Sequence, residues 1–454
     1  MIPVKKAFRY YYWFSLEFFK KHLRIIALSF FLSFIIIIGL ISFSPYIQTF
    51  FLTKKDIIGL VGDYDYNNIP EEISSKISNG LLFINEKGEV NPAIASSWEI
   101  LDNGKEYRFH IRNGLIWANG QKFSAHDIPY KFKDIETKVI DDKTIYFILK
   151  NPLPIFPTYL RKPIILFPLV GVAGLYKVDR IKLRYGSITE LALSPNKKDL
   201  PFTIYKFYRT ESDLINAYKT GEINHMNVAK KSVSDIFQKW KNSTLTKTVD
   251  YNRLLTLFFN YNNPLLKEKD FRQSLIMAIN RSKFKDFGET ALGPIPPLSW
   301  AYNSDLKNPI FDQTGAEKIL KKTITASESA KLNFYTYYDY LSDAEQIVNS
   351  LKSVGLSINL KLVSSEKPSN FDFFLAFWNV PSDPDQYFFW HSTQTQGNLG
   401  NYKNIKIDKL LEDGRNSNVI AERKKLYLDF QKVIADDPPA VFLYFPYVYT
   451  IKRK

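Results

Sequence analysis

The chain contains no cysteine among its 454 residues. Disulfide bonds, thiolate metal sites, a cysteine nucleophile and a lipid anchor on cysteine are therefore excluded. Histidine is also scarce, and a zinc site built on imidazoles is not expected because the histidines stand singly, at His22, His110, His126, His225 and His391. We accordingly expect neither a metal site nor a cofactor.

Several short motifs that carry catalytic chemistry are also missing. The sequence has no Gly-x-x-x-x-Gly-Lys-Ser/Thr loop, no Gly-x-Gly-x-x-Gly, no Gly-x-Ser-x-Gly and no His-Glu-x-x-His. Acidic residues are plentiful, so a carboxylate pair for glycoside hydrolysis stays open, but nothing marks one pair above another. The missing motifs favour a protein that binds without reacting over an enzyme.

Positive charge is concentrated at the N-terminus and not in a stripe over the body. Residues 1–55 hold eight Lys and Arg and one acid, Glu17, whereas the other 399 residues hold 53 bases and 45 acids. The body is thus only mildly basic for its size, without the dense basic patch of nucleic-acid-binding proteins. Nucleic acid is not an expected partner.

A long apolar run follows the basic N-terminus. No charged residue occurs from Ile25 through Thr53, and a bilayer span needs only about 20 apolar residues. Six bases precede the run and only Lys54 and Lys55 follow it directly, so the positive-inside bias places the N-terminus in the cytoplasm and the body outside. We expect a basic cytoplasmic stub at residues 1–24 and a transmembrane anchor at residues 25–53 of a single-pass cell-membrane protein.

A cleaved signal peptide is the alternative interpretation of this run. The apolar segment of a signal peptide has about 7–15 residues, which is shorter than this run, and no Ala-x-Ala site follows it. A retained signal-anchor is therefore favoured. In either case the body works outside the cytoplasmic membrane, in the periplasmic space or its equivalent.

The pattern of residues 96–127 predicts a compact β unit. Polar and apolar residues alternate on both sides of Asp102-Asn103-Gly104, which predicts a hairpin over residues 96–112. Trp117 follows between two tight turns, Asn113-Gly114 and Asn119-Gly120. Ser124 and Asp127 then have the spacing of a capping box, which predicts the start of a helix.

Further along, residues 331–362 are the clearest mixed unit. A strand, a helix with an apolar stripe and a second strand follow one another, which predicts a right-handed parallel crossover. Ser342 is the expected N-cap of the helix, and Gly355 its C-terminal stop. Near the C-terminus, AVFLYFPY predicts a short strand from Ala440.

The stretch WNVPSDPDQYFFW, from Trp378, is the most suggestive local sequence. Asp383-Pro384-Asp385 is typical of a rigid turn that caps a helix beginning near Gln386. The same turn can also display Trp378, Asn379 and Tyr387 as ligand contacts beside a cleft. The two interpretations are compatible.

Five motifs in order resemble those of a known family. They are NPAIASSWEILDNGKEYRFHIRNGLIWANGQKFSAHDI from Asn91, Gly221-Glu222-Ile223-Asn224, Asn260 with FRQSLIMAINRSKF, Asp383-Pro384-Asp385, and a tail with Tyr402, Asp408, Leu410, Leu411, Tyr427 and Pro438. Over residues 56–454 the chain resembles the extracellular solute-binding proteins of ABC importers, in the oligopeptide, dipeptide and nickel class called bacterial family five.

This resemblance implies an α/β, two-lobed periplasmic-binding-protein-like fold of the large class II type, placed after the transmembrane helix. Lobe I is expected at residues 56–255, with residues 433–454 returning to it, and lobe II at residues 256–432. Trp117 then packs inside a lobe and touches no ligand. Ligand binding is expected to close the two lobes about a hinge.

The implied function is substrate binding for an ABC import system, for peptides or a related small solute, without catalysis. The implied partners are a small-molecule or peptide ligand and ABC permease and ATPase subunits on other chains, with the binding protein itself a monomer. The candidate ligand-binding residues are Tyr64, Asn260, Trp378, Asn379, Asp383, Tyr387 and Asn401.

One departure from the family concerns the ligand. Peptide-binding members grip a free amino terminus with a carboxylate about three residues before the first Asp of the Asp-Pro-Asp turn, where this chain has Val380. A blocked peptide, a sugar or another neutral ligand is then compatible with the site. Two other functions stay open: a surface-anchored hydrolase, and a ligand-sensing or adhesion module on the same fold without a transporter.

Overall fold

The computed structural model describes residues 4–47, 55–85, 88–323, 331–364 and 366–454. These residues form two compact units. One comprises the N-terminal residues through Asp56 together with Asp199–Phe202, and the other comprises the remainder of the chain.

The N-terminal unit is dominated by helix α1, Val4–Ile47, of 44 residues. Within Phe8–Gly39 an 18-residue window has a mean hydropathy of 2.2 with none of the window buried, so the helix is long and apolar enough to cross a membrane. The helix begins well before the predicted anchor, so the described part of the stub is helical as well. Residues 48–53 of the predicted anchor lie outside the described residues.

The first lobe of the larger unit contains a four-stranded antiparallel sheet in the order β4-β5-β7-β6 and two small hairpins, β2-β3 and β8-β9. Its core surrounds the fully buried Trp117, Phe109 and Phe147. The bounds of these strands are β2 Leu82–Ile84, β3 Val90–Pro92, β4 Ala95–Leu101, β5 Glu106–Ile111, β6 Ile135–Asp141, β7 Thr144–Leu149, β8 Ile165–Leu166 and β9 Val170–Gly171.

The rest of the first lobe packs helices on one end of the main sheet. Gly221 ends one of these helices in the left-handed region (φ 83°), which glycine adopts at little cost. The elements are β1 Lys55–Val61, β10 Tyr176–Arg184, β11 Ser187–Pro195, β12 Phe202–Tyr208, β13 His225–Val228 and β14 Ser243–Val249, with α2 Glu71–Ile77, α3 Phe156–Tyr159, α4 Glu211–Thr220 and α5 Lys231–Gln238.

The second lobe continues the same main sheet and covers it with longer helices. Two apolar clusters, one on each side of the sheet, make its core. The strands are β15 Arg253–Phe259, β16 Gly288–Thr290, β17 Leu332–Tyr337, β18 Ile358–Val363 and β19 Phe373–Asn379, and the helices are α6 Pro264–Lys267, α7 Lys269–Ala278, α8 Gln313–Thr323, α9 Leu341–Ser353, α10 Tyr387–Trp390, α11 Ile405–Asn416 and α12 Ile420–Asp436.

The last strand, β20 (Ala440–Arg453), belongs to both lobes. Its first part pairs antiparallel with β15 and β16, and its second part pairs with β13 and β14. Among the described residues the resulting main sheet runs β10-β11-β12-β1-β13-β20-β15-β19-β17-β18, with β14 and β16 paired to β20 off this path. A single strand therefore carries the backbone hydrogen bonds from one lobe into the other.

Several local predictions are confirmed. β4 and β5 form the antiparallel hairpin, and β17 and β18 are parallel with α9 between them. Gly355 has a φ of +94°, which suits a residue without a Cβ at the end of a helix. The capping box of Ser124 and Asp127 is present, although it holds one 3-10 turn and not a helix.

Two other local predictions are wrong. Ser342 is not the N-cap of α9, because a 3-10 turn at Tyr338–Tyr340 runs directly into the helix and places Ser342 inside its first turn. The C-terminal strand is also longer than predicted. Proline lacks a backbone N–H and normally ends a strand. Pro446, however, lies at the point of β20 where pairing with β16 ends and pairing with β14 begins.

Candidate ligand-binding site

The two lobes meet at Arg161 and Ser382. Nη1 of Arg161, in the loop after α3, donates a hydrogen bond to Oγ of Ser382, in the loop after β19, at 2.8 Å. Nη2 of the same guanidinium lies 3.7 Å from a carboxylate oxygen of Glu71. At another contact between the lobes, Gly88 lies so close to Trp300 that an added Cβ would come within 2.5 Å of the indole ring. The cleft between the lobes therefore has defined walls on both sides.

A cavity of about 220 Å³ lies at this meeting point and is lined by both lobes. A larger cavity of about 610 Å³ adjoins it, since Thr158, Tyr159 and Arg161 line both. The larger volume falls within the roughly 300–1,000 Å³ of small-molecule sites. Its walls are largely apolar and aromatic, and include Tyr66, Ile69, Tyr159, Ile165, Phe167 and Leu169.

Aromatic rings on these walls remain open to a ligand. Phe167 is 78% exposed and its ring packs against Tyr66 with centroids 5.0 Å apart. Phe388 of the second lobe is also exposed and lines the smaller cavity. Burial raises the pKa of Tyr159, and the nearby carboxylate of Asp385 raises it further, so its hydroxyl stays protonated near neutral pH.

The Asp383-Pro384-Asp385 turn is held by two arginines from the C-terminal helices. Oδ2 of Asp385 accepts hydrogen bonds from Nε (3.1 Å) and Nη2 (2.6 Å) of Arg415. Oδ1 of Asp383 accepts one from Nη2 of Arg423 at 2.6 Å. The remaining oxygen of Asp385 caps the backbone N–H of Tyr387 at 3.1 Å. Both carboxylates are thus occupied within the fold, as a structural turn requires.

Tyr387 lies behind this turn, between the guanidinium of Arg415 and the imidazole of His391. The guanidinium of Arg415 lies 4.0 Å from its ring centre, and the imidazole of His391 stacks on it at 4.1 Å. Such a stack fixes the orientation of the ring, with cation–π attraction from the arginine. Tyr387 therefore supports Arg415, which does line the smaller cavity.

Trp378 and Val380 belong to the core of the second lobe. The indole N–H of Trp378 donates to Oγ1 of Thr256 at 3.0 Å, and its ring packs on Phe389 with centroids 4.4 Å apart. Val380 is buried, and its backbone N–H donates to the carbonyl of Asn252. Asn379, between them, is exposed at the end of β19.

Asn260 and Asn401 contact each other but lie away from the meeting point of the lobes. Nδ2 of Asn401 donates to Oδ1 of Asn260 at 3.2 Å, and the buried Asn260 also donates to the carbonyl of Phe371 at 2.7 Å. Asn401 lines a separate cavity of about 580 Å³ with Lys267, Lys269 and Lys403. Tyr64 is elsewhere again, with its ring against Phe207 at 5.1 Å.

The structure therefore divides the candidate residues among different places. Asp383 lines the cleft, Tyr387 and Trp378 lie behind it, and Asn260, Asn401 and Tyr64 are in other parts of the fold. Arg161, Tyr159 and Phe388 line the cleft but were not expected from the sequence. Among the described residues no group of three or more His, Asp or Glu is placed to hold a metal ion.

The lining of the larger cavity has a net positive charge. Its charged lining residues are Arg161, Lys162 and Glu71, and Glu71 is the partner of Arg161. The acids of the smaller cavity, Asp383 and Asp385, are both paired with arginines. A ligand in this cleft meets apolar rings, hydroxyls and a guanidinium, and the carboxylates it meets already have partners.

Known proteins match nearly the whole chain. The oligopeptide-binding protein AppA of Bacillus subtilis (strain 168) is 23% identical, over 86% of this chain and 86% of its own. The solved structure of AppA from Bacillus subtilis in complex with a nonapeptide aligns with a TM-score of 0.70 at 22% identity, covering 88% of this chain and 94% of that one. NikZ from Campylobacter jejuni, in complex with Ni(L-His), aligns with a TM-score of 0.72 at 22% identity and the same coverage. The two-lobed α/β fold expected from the sequence is confirmed.

A family model supports the same assignment. The model described as bacterial extracellular solute-binding proteins, family 5 (middle part), matches residues 89–400, which is more than two thirds of the chain. The match includes the hairpin with Trp117, the parallel unit around α9 and the Asp383–Asp385 turn. The resemblance drawn from the five motifs is thereby confirmed. This chain belongs to family 5 of the bacterial extracellular solute-binding proteins.

Proposed function

We propose that this chain is the membrane-anchored substrate-binding component of an ABC import system. The observation that carries the proposal is the cleft at Arg161 and Ser382, where both lobes of a family-5 protein line one cavity. The permease and the ATPase are separate chains. In this proposal the protein binds its solute as a monomer and releases it unchanged, and the name of its relative AppA, an oligopeptide-binding protein, supports the binding role.

The ligand we propose is a peptide or a related small solute whose binding needs no carboxylate of the protein to hold a free amino group. A nonapeptide occupies the AppA structure, and Ni(L-His) occupies that of NikZ. In this chain the expected acid is replaced by the buried Val380, and the nearby Asp383 and Asp385 are engaged by Arg423 and Arg415. Solutes with a blocked amine, or with a carboxylate that Arg161 can receive, suit these charges best.

We propose that binding closes the lobes about the segments that join them. These are residues 250–252 and the middle of β20, near Pro446, where Asp250 donates its backbone N–H to the carbonyl of Pro446 at 2.8 Å. A ligand stabilises a closed form only as far as it contacts both lobes. Shifting a mostly open population to a mostly closed one takes about 5 kcal/mol of such preference. The lobe limits of 56–255 and 256–432 stay part of this proposal, whereas residues 433–454 return to the first lobe only in the second part of β20, beyond Pro446.

The anchoring proposed is a single pass through residues 25–53, with the stub in the cytoplasm and the lobes outside. The apolar 18-residue window within Phe8–Gly39 of α1 supports it, because none of that window is buried against the protein. The flanking bases support the orientation. Such a tether keeps the binding protein within reach of a permease without a lipid modification.

The test is a ligand search with the purified full chain in detergent or nanodiscs. Mass spectrometry of co-purified material, followed by calorimetry with the identified compound, should give saturable binding to one site and an unchanged compound after long incubation. At a ligand concentration of about 100 times Kd, the folded state should gain about 2.7 kcal/mol. Product formation would identify a hydrolase instead, and a broad panel of peptides and saccharides without thermal stabilisation would reject solute binding in the cleft.

A further inference from the structure

The first part of α1 has two chemically different faces. Because an α-helix turns by 100° per residue, the residues 3, 4, 7, 10, 11, 14 and 15 positions after Phe8 lie on the same side of the helix as Phe8. This side, which we call the aromatic face, consists of Phe8, Tyr11, Tyr12, Phe18, Phe19 and Leu23, with Ser15 and His22 as its polar members. The opposite side, which we call the basic face, holds Arg9, Glu17, Lys20, Lys21 and Arg24.

The aromatic face is uncovered. Its rings are exposed by 50% at Phe18 and by up to 75% at Phe8. The contacts recorded for them are with neighbours along the same helix, such as Phe18 with His22 at 4.8 Å and with Phe14 at 6.5 Å. An apolar face of this size in water is unfavourable, since its burial would release roughly 25 cal/mol per Å².

The length of α1 places this segment outside the hydrocarbon core. The part of the helix from Ile25 to Ile47 is about 35 Å long, and the hydrocarbon core of a bilayer is about 30 Å thick. Residues 8–24 then extend beyond the membrane by about 25 Å if the helix stands upright. In that position the aromatic face would stay in water.

The charges of the segment match an anionic surface. The basic face has four bases, and its one acid, Glu17, lies 3.7 Å from Lys20. Tyr10, Trp13 and Phe14 lie on the same side as the bases, and rings of the first two types prefer the headgroup level of a membrane. A helix with an apolar face and a Lys/Arg-rich face is typical of segments that lie in the plane of the interface.

We propose that residues 8–24 form an interfacial helix on the cytoplasmic leaflet, with the aromatic face sunk among acyl chains and the basic face against anionic lipid headgroups. The axis of α1 must then bend or tilt strongly near Arg24. The inference rests on the anchoring part of the proposed function and adds a second attachment, which sets the depth and rotation of the span. The partner is the lipid surface itself and not a permease subunit.

The absence of cysteine allows a direct test on the full chain. Single variants Tyr11→Cys, Phe18→Cys, Glu17→Cys and Lys21→Cys are labelled with an environment-sensitive dye, and Ile35→Cys reports on the span. The proteins are reconstituted without other chains into vesicles of phosphatidylcholine, with or without phosphatidylglycerol, and a lipid-soluble quencher present in both leaflets makes orientation irrelevant. We expect the labels at 11 and 18 to be quenched and those at 17 and 21 to stay in water.

The pattern of depths decides among the possibilities. A depth that rises steadily from residue 11 to residue 21 means an upright helix and overturns the inference, as does quenching that appears only after a permease is added. A label at residue 35 that stays in water overturns the anchoring itself, which is a separate failure. Because residues 17 and 18 are adjacent, a contrast between them identifies a helix lying in the interface.

The anionic part of the inference has its own variants. The double variant Lys20→Gln with Lys21→Gln should lower the ratio of membrane-bound to free residues 8–24 about fivefold per charge in vesicles with phosphatidylglycerol. In phosphatidylcholine alone the ratio should stay unchanged. Lys20→Arg with Lys21→Arg should restore the original ratio. Equal docking in the two lipids would overturn the role of the charges. Unfolding curves of the body must be the same for all variants, which excludes a general loss of fold.

Discussion

The guanidinium of Arg161 and the hydroxyl of Ser382 join the two lobes by a 2.8 Å hydrogen bond between residues 221 positions apart in the chain. Each residue sits in a loop that follows a regular element, α3 for the arginine and β19 for the serine. The bond lies on the wall of the smaller cavity, so a solute that enters there can accept from both donors. Contact with both lobes is what closure requires.

Arg161→Gln should weaken the binding of a carboxylate-bearing ligand by about tenfold to a hundredfold, because a hydrogen bond to a charged group contributes about 1.5–3 kcal/mol. Ser382→Ala should weaken it by less, since the serine hydroxyl is neutral. Calorimetry with a matched pair, an acetylated dipeptide and its C-terminal amide, measures the effect. Arg180→Gln is the matched control, as Arg180 on β10 pairs with Glu190 on β11 at 3.0 Å outside both cavities. Equal affinity of the wild type for the acid and the amide would remove Arg161 as the anion receptor.

Asp385→Asn should destabilise the second lobe by about 2–3 kcal/mol. The side chain of Asp385 is 8% exposed and that of its partner Arg415 is 23% exposed. Because the pair is not fully buried, the loss of stability should be at or below the ~3–5 kcal/mol that breaking a fully buried ion pair costs. Urea unfolding measures it. Asp436→Asn breaks the surface pair with Lys269, whose side chains are 71% and 42% exposed, and should cost under about 1 kcal/mol. If the two variants lose the same amount, the arginine pair does not hold the turn.

The local chemistry of the chain made much of the fold predictable. The hairpin at β4 and β5 and the parallel pair around α9 both depend on turn residues and periodicity within a short window. The long β20 was not predictable in this way. Pro446 is a stop signal in local terms, and the strand continues past it only because a second set of partners begins there.

The site was less predictable because it is made by contacts between distant segments. Arg161 follows a four-residue helix in an irregular loop, and no periodicity or spacing distinguishes it from other surface arginines. Its significance comes from Ser382 in the other lobe. Asn260 and Asn401 show the converse: they do meet, but beside a different cavity. A motif places a residue in the fold more reliably than it places a side chain at a ligand.

Trp117→Ala should cost about 3–5 kcal/mol of stability, as expected for the removal of a large buried aromatic residue. The indole is 2% exposed and packs on Phe123 with ring centroids 5.2 Å apart. Trp117→Phe should cost clearly less, because it keeps most of the buried apolar volume. Denaturant unfolding gives both values. Ligand affinity measured well below the unfolding midpoint should be unchanged, and a drop in affinity with normal stability would place Trp117 at the ligand after all.

Asp343 gives the second lobe a stability that depends on pH. It lies in the first turn of α9, and the hydroxyl of Tyr444 on β20 donates to its Oδ1 at 3.2 Å. Burial raises the pKa of this carboxyl from 3.8 to about 6, against smaller opposing effects of Tyr444 and the residue's own backbone N–H. The unfolded chain ionises first, so between pH 4 and pH 6 the folded state binds more protons and loses stability as the pH rises.

Asp343→Asn removes this ionisation while keeping an oxygen that Tyr444 can donate to. The free energy of unfolding of the wild type relative to the variant should therefore fall by on the order of 1–3 kcal/mol from acid to neutral pH, and stay level above the folded-state pKa. Urea unfolding at intervals across this range measures the difference. Asp436→Asn, at an exposed position, should show no such fall. A difference between wild type and Asp343→Asn that is flat with pH, or that rises, would mean that Asp343 is ionised in the folded protein and that its burial is compensated by solvent reaching the carboxylate.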